Sequence, residues 1–183
     1  MAGRPPDPRK RERILAAAIA VFLEDGSHGA TTVAIARRAG MSSSHMYVYF
    51  RDKGHLLVEA VCRMKDEHAA LSTELAAKGA GLDDAAFIEA FYAAQATIRH
   101  RVRFIASCVL SPRLTPLFDG IDFDYSSVFM PFLKEWPQEL AAHTARALMA
   151  ISLGYFLMGD MEGAKAASMS VLGNARRRLL KGA

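Results

Sequence analysis

The sequence predicts an all-α protein of about nine helices. Three observations carry that reading. Apolar residues along the 183-residue chain recur at intervals of three and four, the spacing that lines one face of a helix. No stretch sustains the every-other-residue alternation of a half-buried strand. Gly, Pro and Ser/Thr/Asp residues fall between the apolar runs, where helix ends need left-handed backbone, a broken N–H ladder or a capping oxygen.

The elements follow in order. Pro5, Pro6 and Pro8 remove backbone donors, so residues 1–8 are expected as a flexible basic arm carrying Arg4. A first helix over about 9–24 sets Ile14, Ala18, Val21 and Phe22 on one face, and Gly26 and Gly29 stop it. A second begins at Thr31 or Thr32, whose hydroxyls can cap free N–H groups, and ends at Gly40. A third spans 42–50 with Ser42 as N-cap. A fourth runs from Asp52 to about Lys78, closed by Gly79 and Gly81. Helices over 83–100 and on to about 111 come next, then an irregular piece around Pro112 and Pro116. A helix over 123–136 is expected before Pro137, and two long helices, 138–159 and 162–181, finish the chain.

Composition narrows the function. Hydrophobic residues make up 51% and charged residues 23%, enough to build a core and too few charges for disorder. The net charge is +4, and its position matters more than its size. Residues 1–55 hold nine Lys/Arg against five Asp/Glu, while the remainder carries fourteen of each. A basic head on a neutral body is the pattern of a polyanion binder. The two cysteines, Cys62 and Cys108, form no CxxC and have no His pair nearby. Disulfides and zinc are therefore not expected, and a reducing cytoplasm fits. Residues 9–23 imitate a secretion signal, but Glu24 and Asp25 follow at once with no small-residue cleavage pattern. No apolar run approaches the ~20 residues of a membrane span. Gly-rich phosphate loops, GxSxG, HExxH and paired carboxylates are all missing. An enzyme, a catalytic residue, a metal site and a cofactor are thus not expected.

The informative stretch is residues 31–53, TTVAIARRAGMSSSHMYVYFRDK. Two short helices joined by a four-residue turn containing Gly40 make a helix-turn-helix. Ile35, Ala36 and Ala39 give the first a small apolar face, against which Met46 and Phe50, four apart on the second, can insert. With Met46 inward, Ser44 and Val48 point outward, flanked by His45 and Tyr47. In a major groove the second helix would offer Ser42, Ser43, Ser44 and His45 near its start and Val48 to a thymine methyl. Thr31, Thr32, Tyr47 and Tyr49 can donate hydroxyls to phosphates, and Lys53 adds charge. Plainer roles stand beside these: capping for Thr31, packing for the tyrosines, an indifferent surface position for His45. Arg4 can enter a minor groove or belong to an idle tail.

These residues also resemble a known family. RERILAAAIAVF, IARRAGMSSSHMYVYF and DKGHLL are similar to the shared region of the TetR regulators. Its I-A-x-x-A-G-V-S turn corresponds here to Ile35, Ala36, Ala39, Gly40, Met41 and Ser42. Its Y-x-Y/H-F closure corresponds to Tyr47, Tyr49 and Phe50, and its helix-opening Lys to Lys53 ahead of Leu56 and Leu57. Met41 stands where Val is commoner, Ser44 and His45 where Gly and Thr are frequent, Val48 at a site often polar, and Gly54 where Glu is usual. The departures put the target sequence in question rather than the fold. The resemblance implies a two-fold dimer on a near-palindromic duplex, repressing until an effector binds. It divides the chain into the arm 1–8, a DNA-binding head 9–52 and an effector-binding and dimerisation body 53–183.

In the body, residues 138–159 carry two apolar stripes, one of them Ala145, Met149, Ser152 and Phe156. The final helix offers Val171, Leu172, Ala175 and Leu179. Two faces on one helix suggest one buried internally and one meeting a second copy, and the resemblance implies the same pair of helices. The intervening chain is rich in aromatic residues and methionine. Phe91, Tyr92, Gln95, Phe104, Cys108, Phe129 and Trp136 are the candidates to enclose a small, mostly apolar effector. Two other readings stay open: an architectural DNA-binding protein without an effector, whose core would be filled, and an enzyme with a helical head, which no motif supports.

Overall fold

The computed structural model describes residues 7–79, 81–124 and 126–181. Among them are seven α-helices, two 3₁₀ turns and no strand. The helices are α1 (Pro8–Gly29), α2 (Thr32–Arg38), α3 (Ser43–Met46), α4 (Lys53–Gly79), α5 (Asp84–Val109), α6 (Gln138–Met158) and α7 (Met161–Lys181).

Six of the seven helix starts have a capping side chain; α6 follows Pro137 without one. The Asp7 carboxylate accepts the Arg9 N–H at 2.9 Å, with Pro8 at the position that needs no donor. Thr31 accepts the Ala34 N–H at 3.1 Å and Ser42 the His45 N–H at 3.3 Å. Asp52, Asp83 and Asp160 accept the N–H groups of His55, Ala86 and Gly163 at 2.7, 2.8 and 2.8 Å. Gly40 takes φ +65° in the turn between α2 and α3, a conformation that a Cβ would strain.

The chain forms two compact units. One joins the residues up to Lys65 with Phe104–Ile121; the other joins Asp66–Arg103 with the residues from Asp122 onward. In the first, Ile14, Leu15, Ala18, Val21 and Phe22 of α1 are buried, as are Ile35, Ala36, Ala39, Met46, Phe50, Leu56 and Leu57. The core of the second is aromatic. Phe87 stacks on Phe132 with centroids 3.7 Å apart, Phe91 lies 4.9 Å from Phe129, and Tyr92 meets Tyr155 edge-on at 5.4 Å.

Three expectations need correction. The helices expected over 83–100 and on to 111 are one, α5, because no Gly or Pro interrupts Asp84–Val109; the run of Arg and His at 99–103 breaks the apolar pattern but not the backbone. Among the described residues of 123–136 the one helical element is the 3₁₀ turn Ser126–Phe129. There the carboxylates of Asp122 and Asp124 take the N–H groups two residues on, both at 2.8 Å, and Pro131 removes a helical donor. The third helix is shorter than 42–50: after Met46 the N–H groups of Val48 and Tyr49 bond three residues back, to His45 and Met46. The β-branched and aromatic run Tyr47-Val48-Tyr49 suits that tighter turn better than an α-helix. The count falls accordingly from nine to seven.

Among the described residues one helix, α6, is long and apolar enough to cross a bilayer by length and composition, against the expectation from apolar runs. Its Ala141, Ala145, Leu148, Tyr155 and Phe156 are instead buried in the second unit's core.

Gly79 ends α4 where a Cβ would overlap Cδ2 of Phe87. That ring is held against Phe132 and cannot retreat. Gly→Ala within a helix ordinarily stabilises. Here Gly79→Ala should destabilise by about 1–3 kcal/mol through overpacking, read as a lower midpoint in urea unfolding.

Candidate nucleic-acid interface

The first unit builds an exposed polar surface from a buried anchor. Met46 and Phe50 are each 1% exposed. The Phe50 ring lies beneath the Arg11 guanidinium at 4.9 Å, and Arg11 also pairs with Glu59. With those two side chains turned inward, Ser44, His45, Tyr47 and Val48 are left exposed, with Ser43 and Tyr49 half-buried. His45 and Tyr49 rings sit 5.7 Å apart. The Tyr47 hydroxyl donates to Thr32 Oγ1 at 3.4 Å, which ties this flank to the first turn of α2. The Ser42 and Ser44 hydroxyls are 3.1 Å apart. Thr31 and Ser42 each spend an oxygen lone pair on capping, and the Thr31 hydroxyl still has a proton to donate.

Lys53 is placed differently from the expectation that it simply adds a phosphate-facing charge. Its half-buried ammonium donates to the carbonyls of Ala30 at 2.8 Å and His28 at 3.4 Å, clasping the end of α1. Of its three N–H bonds one is left for a phosphate. Arg38 is engaged by Glu24, while Arg9, Arg13 and Arg37 are exposed. The Asp52 carboxyl is held below its usual range by the His55 N–H, with Arg51 adding to it. Arg4 lies outside the described residues.

Comparisons bear on this surface. The family model for bacterial regulatory proteins of the tetR family matches residues 14–60, from α1 through the first turns of α4. The HTH-type transcriptional regulator BetI of Serratia proteamaculans is 31% identical over 170 residues, covering 86% of this chain and 84% of that protein. The chain belongs to the TetR family. Its fold agrees. A transcriptional regulator from Rhodococcus sp. RHA1 superposes with TM-score 0.66 at 22% identity, covering 91% of this chain and 96% of that one. A TetR-family regulator from Mesorhizobium loti superposes with TM-score 0.65 at 18% identity, covering 92% and 95%. This TetR-family chain is a helix-turn-helix, DNA-binding transcriptional regulator.

The residues picked out for an effector divide between the two units of this TetR protein. Phe91, Tyr92 and Phe129 are buried in the aromatic core of the second unit, with Trp136 partly buried against it. Trp136 carries the Arg176 guanidinium over its ring at 5.5 Å. Gln95 is buried beside them: its amide donates to Ser72 Oγ at 2.8 Å, and its oxygen lies 3.1 Å from His68 Nε2. Phe104 and Cys108 belong to the first unit, where Phe104 stacks on Phe22 at 6.2 Å. Burial pushes the Cys108 thiol up to about 11, against the pull of hydrogen bonds from Ser107 and Ser27, which leaves it protonated and unreactive at neutral pH.

The sequence missed a polar seam inside the second unit. Burial holds His68 below its ordinary value, opposed by its Gln95 hydrogen bond. Tyr92 Oη stands 3.0 Å from Ser168 Oγ and 3.5 Å from Ser152 Oγ. No spacing signals this grouping, because its members come from four helices.

The stripe picked out for dimerisation is mostly turned inward. Ala145, Ser152, Phe156, Leu172 and Ala175 are buried within their own unit, with Met149, Val171 and Leu179 partly so. A residue without exposed area has none to lose to a second chain. The outward apolar positions on these helices include Ala150, Leu153, Gly154, Leu157 and Met158 of α6 and Ala166, Met169, Gly173 and Leu180 of α7, with Gly173 partly buried.

Proposed function

We propose that this regulator is a homodimeric repressor, released from a near-palindromic operator by a small, mostly apolar effector, and cytoplasmic. Residues 1–8 serve as arm, 9–52 as head and 53–183 as effector and dimer body. The observation that carries the reading is the exposed face of Ser44, His45, Tyr47 and Val48 on a buried Met46–Phe50 anchor. Exposed side chains are available to base edges, and Thr31, Thr32, Ser42, Ser43, Tyr49 and Lys53 border them as phosphate partners.

Dimerisation is supported by the outward apolar positions of α6 and α7, where small residues let a second pair of helices approach closely. A dimer sets two recognition helices about one duplex turn apart, ~34–36 Å. An effector that prefers one placement of α4 changes that separation; one that binds both placements equally changes nothing. Phe91, Tyr92, Gln95, Phe129 and Trp136 are its proposed contacts.

The experiment is footprinting on the promoter nearest the coding region, with and without candidate small molecules. Protection of two half-sites one turn apart that a compound abolishes supports the reading; a compound-insensitive, sequence-indifferent coat removes it. Leu153→Asp should give a monomer by sedimentation and weaken operator binding about a hundredfold through lost bivalency. A dimer that survives this change overturns the proposed interface.

One observation favours a second reading. The Phe87, Phe91, Phe129 and Phe132 rings pack on one another, as expected of an architectural DNA-binding protein with no effector. Affinity that hardly separates a palindrome from random duplex would support it.

A further inference from the structure

We propose that the operator half-site is read largely through thymine methyl groups, gripped by Val33 of α2 together with Val48. The inference rests on the DNA-reading face proposed above and names what that face recognises.

Val33 is 66% exposed and Val48 60% exposed. Scattered single apolar residues on a surface need no explanation. These two are not scattered: each directly follows one member of the hydrogen-bonded pair Thr32–Tyr47, which joins the start of α2 to the closing turn of α3. Each valine is thus one residue on from that junction, and both are β-branched, with two methyl groups on a stiff stem.

The remaining side chains sharpen the point. Residues 42–50 contain no Arg, Lys, Asn or Gln. Arg and Lys are the usual readers of guanine, and Asn and Gln of adenine. On α2, Arg38 is engaged by Glu24, which leaves Arg37 as the other cation. Hydroxyl groups of Ser43, Ser44 and Tyr47 accept or donate and discriminate weakly. The one major-groove feature that an aliphatic side chain recognises is the C5-methyl of thymine. Burying one methyl group is worth about fourfold in affinity.

The test uses the full-length chain. An operator is selected from a random duplex pool and remade with deoxyuridine in place of thymidine, one position at a time; the two nucleotides differ only by that methyl. Two positions in each half-site should weaken about fourfold on replacement. Val33→Ala should abolish the sensitivity at one and Val48→Ala at the other. Both variants should melt where the wild-type protein does, since the two side chains are exposed and contribute little to the fold. Equal binding of thymine and uracil operators by the wild-type protein overturns the proposal. So do valine variants that retain the wild-type ratios, or a selected half-site without thymine. If no sequence is enriched over bulk duplex, the regulator reading itself fails, and the proposal falls with it.

Discussion

Phe50→Ala should destabilise the head by about 3–5 kcal/mol, a large share of the 5–15 kcal/mol that a typical protein has. The ring is 1% exposed, closes the turn after α3 through its N–H to the Met46 carbonyl at 3.2 Å, and carries Arg11 on its face. Truncation leaves a cavity beneath the surface that Ser44, His45 and Val48 occupy. It also strips Arg11 of a cation–π partner beside its Glu59 pair. Calorimetry should record the loss as a lower melting transition, and operator binding should vanish near that temperature. Phe50→Leu, which refills much of the volume, should restore most of the loss. A melting profile unchanged by the alanine variant would mean that α3 does not depend on this anchor.

Ser44→Glu should abolish operator binding, by about a hundredfold or more, with stability unchanged. The residue is exposed in the first turn of α3. A carboxylate there is well tolerated by the fold, because the first turn of a helix presents unpaired N–H groups and a positive dipole end. Against a duplex the same charge meets phosphates and acceptor-rich base edges, and like-charge contacts of this kind cost several kcal/mol. Ser44→Ala is the companion: it should change sequence preference and leave non-operator affinity alone. Gel shifts at fixed ionic strength read both outcomes, since salt alone shifts protein–DNA affinities by orders of magnitude. Tight operator binding by the Glu variant would mean that this side of α3 does not face DNA.

Much of the fold was legible because helix signals are local. Capping oxygens at Asp7, Thr31, Ser42, Asp52 and Asp83 stand within three residues of the N–H groups they accept. Gly40 and Gly159 mark chain reversals by needing positive φ. The same locality explains the errors. Arg99, His100, Arg101 and Arg103 interrupt an apolar pattern, so α5 reads as two helices, yet none of them breaks a backbone hydrogen bond. Residues 123–136 look helical by their apolar spacing, while Asp122, Asp124 and Pro131 divert the backbone donors. At the recognition surface, Met46 and Phe50 were enough to orient Ser44 and Val48, because a single four-residue interval sets one turn of helix. Val33 escaped notice because its exposure depends on where α2 meets α3.

The body was less readable. Which residues of α6 are buried depends on the neighbouring helices, and both stripes turn inward: Thr144, Leu148 and Tyr155 of one, Ala145, Ser152 and Phe156 of the other. The polar seam of His68, Ser72, Tyr92, Gln95, Ser152 and Ser168 pairs residues up to 76 positions apart. Lys53 could be recognised as a cation at the start of a helix, but its ammonium turns to the Ala30 and His28 carbonyls because α1 ends beside it.

By itself, then, the sequence determined the helical class, the basic head and the side of the recognition helix that meets solvent, all of which depend on neighbours a few residues apart. Only the tertiary structure decided which apolar faces are spent inside the chain, which charges are already occupied and which valines are left in the open. Those are properties of pairs of elements, and no periodicity along a single element encodes its partner.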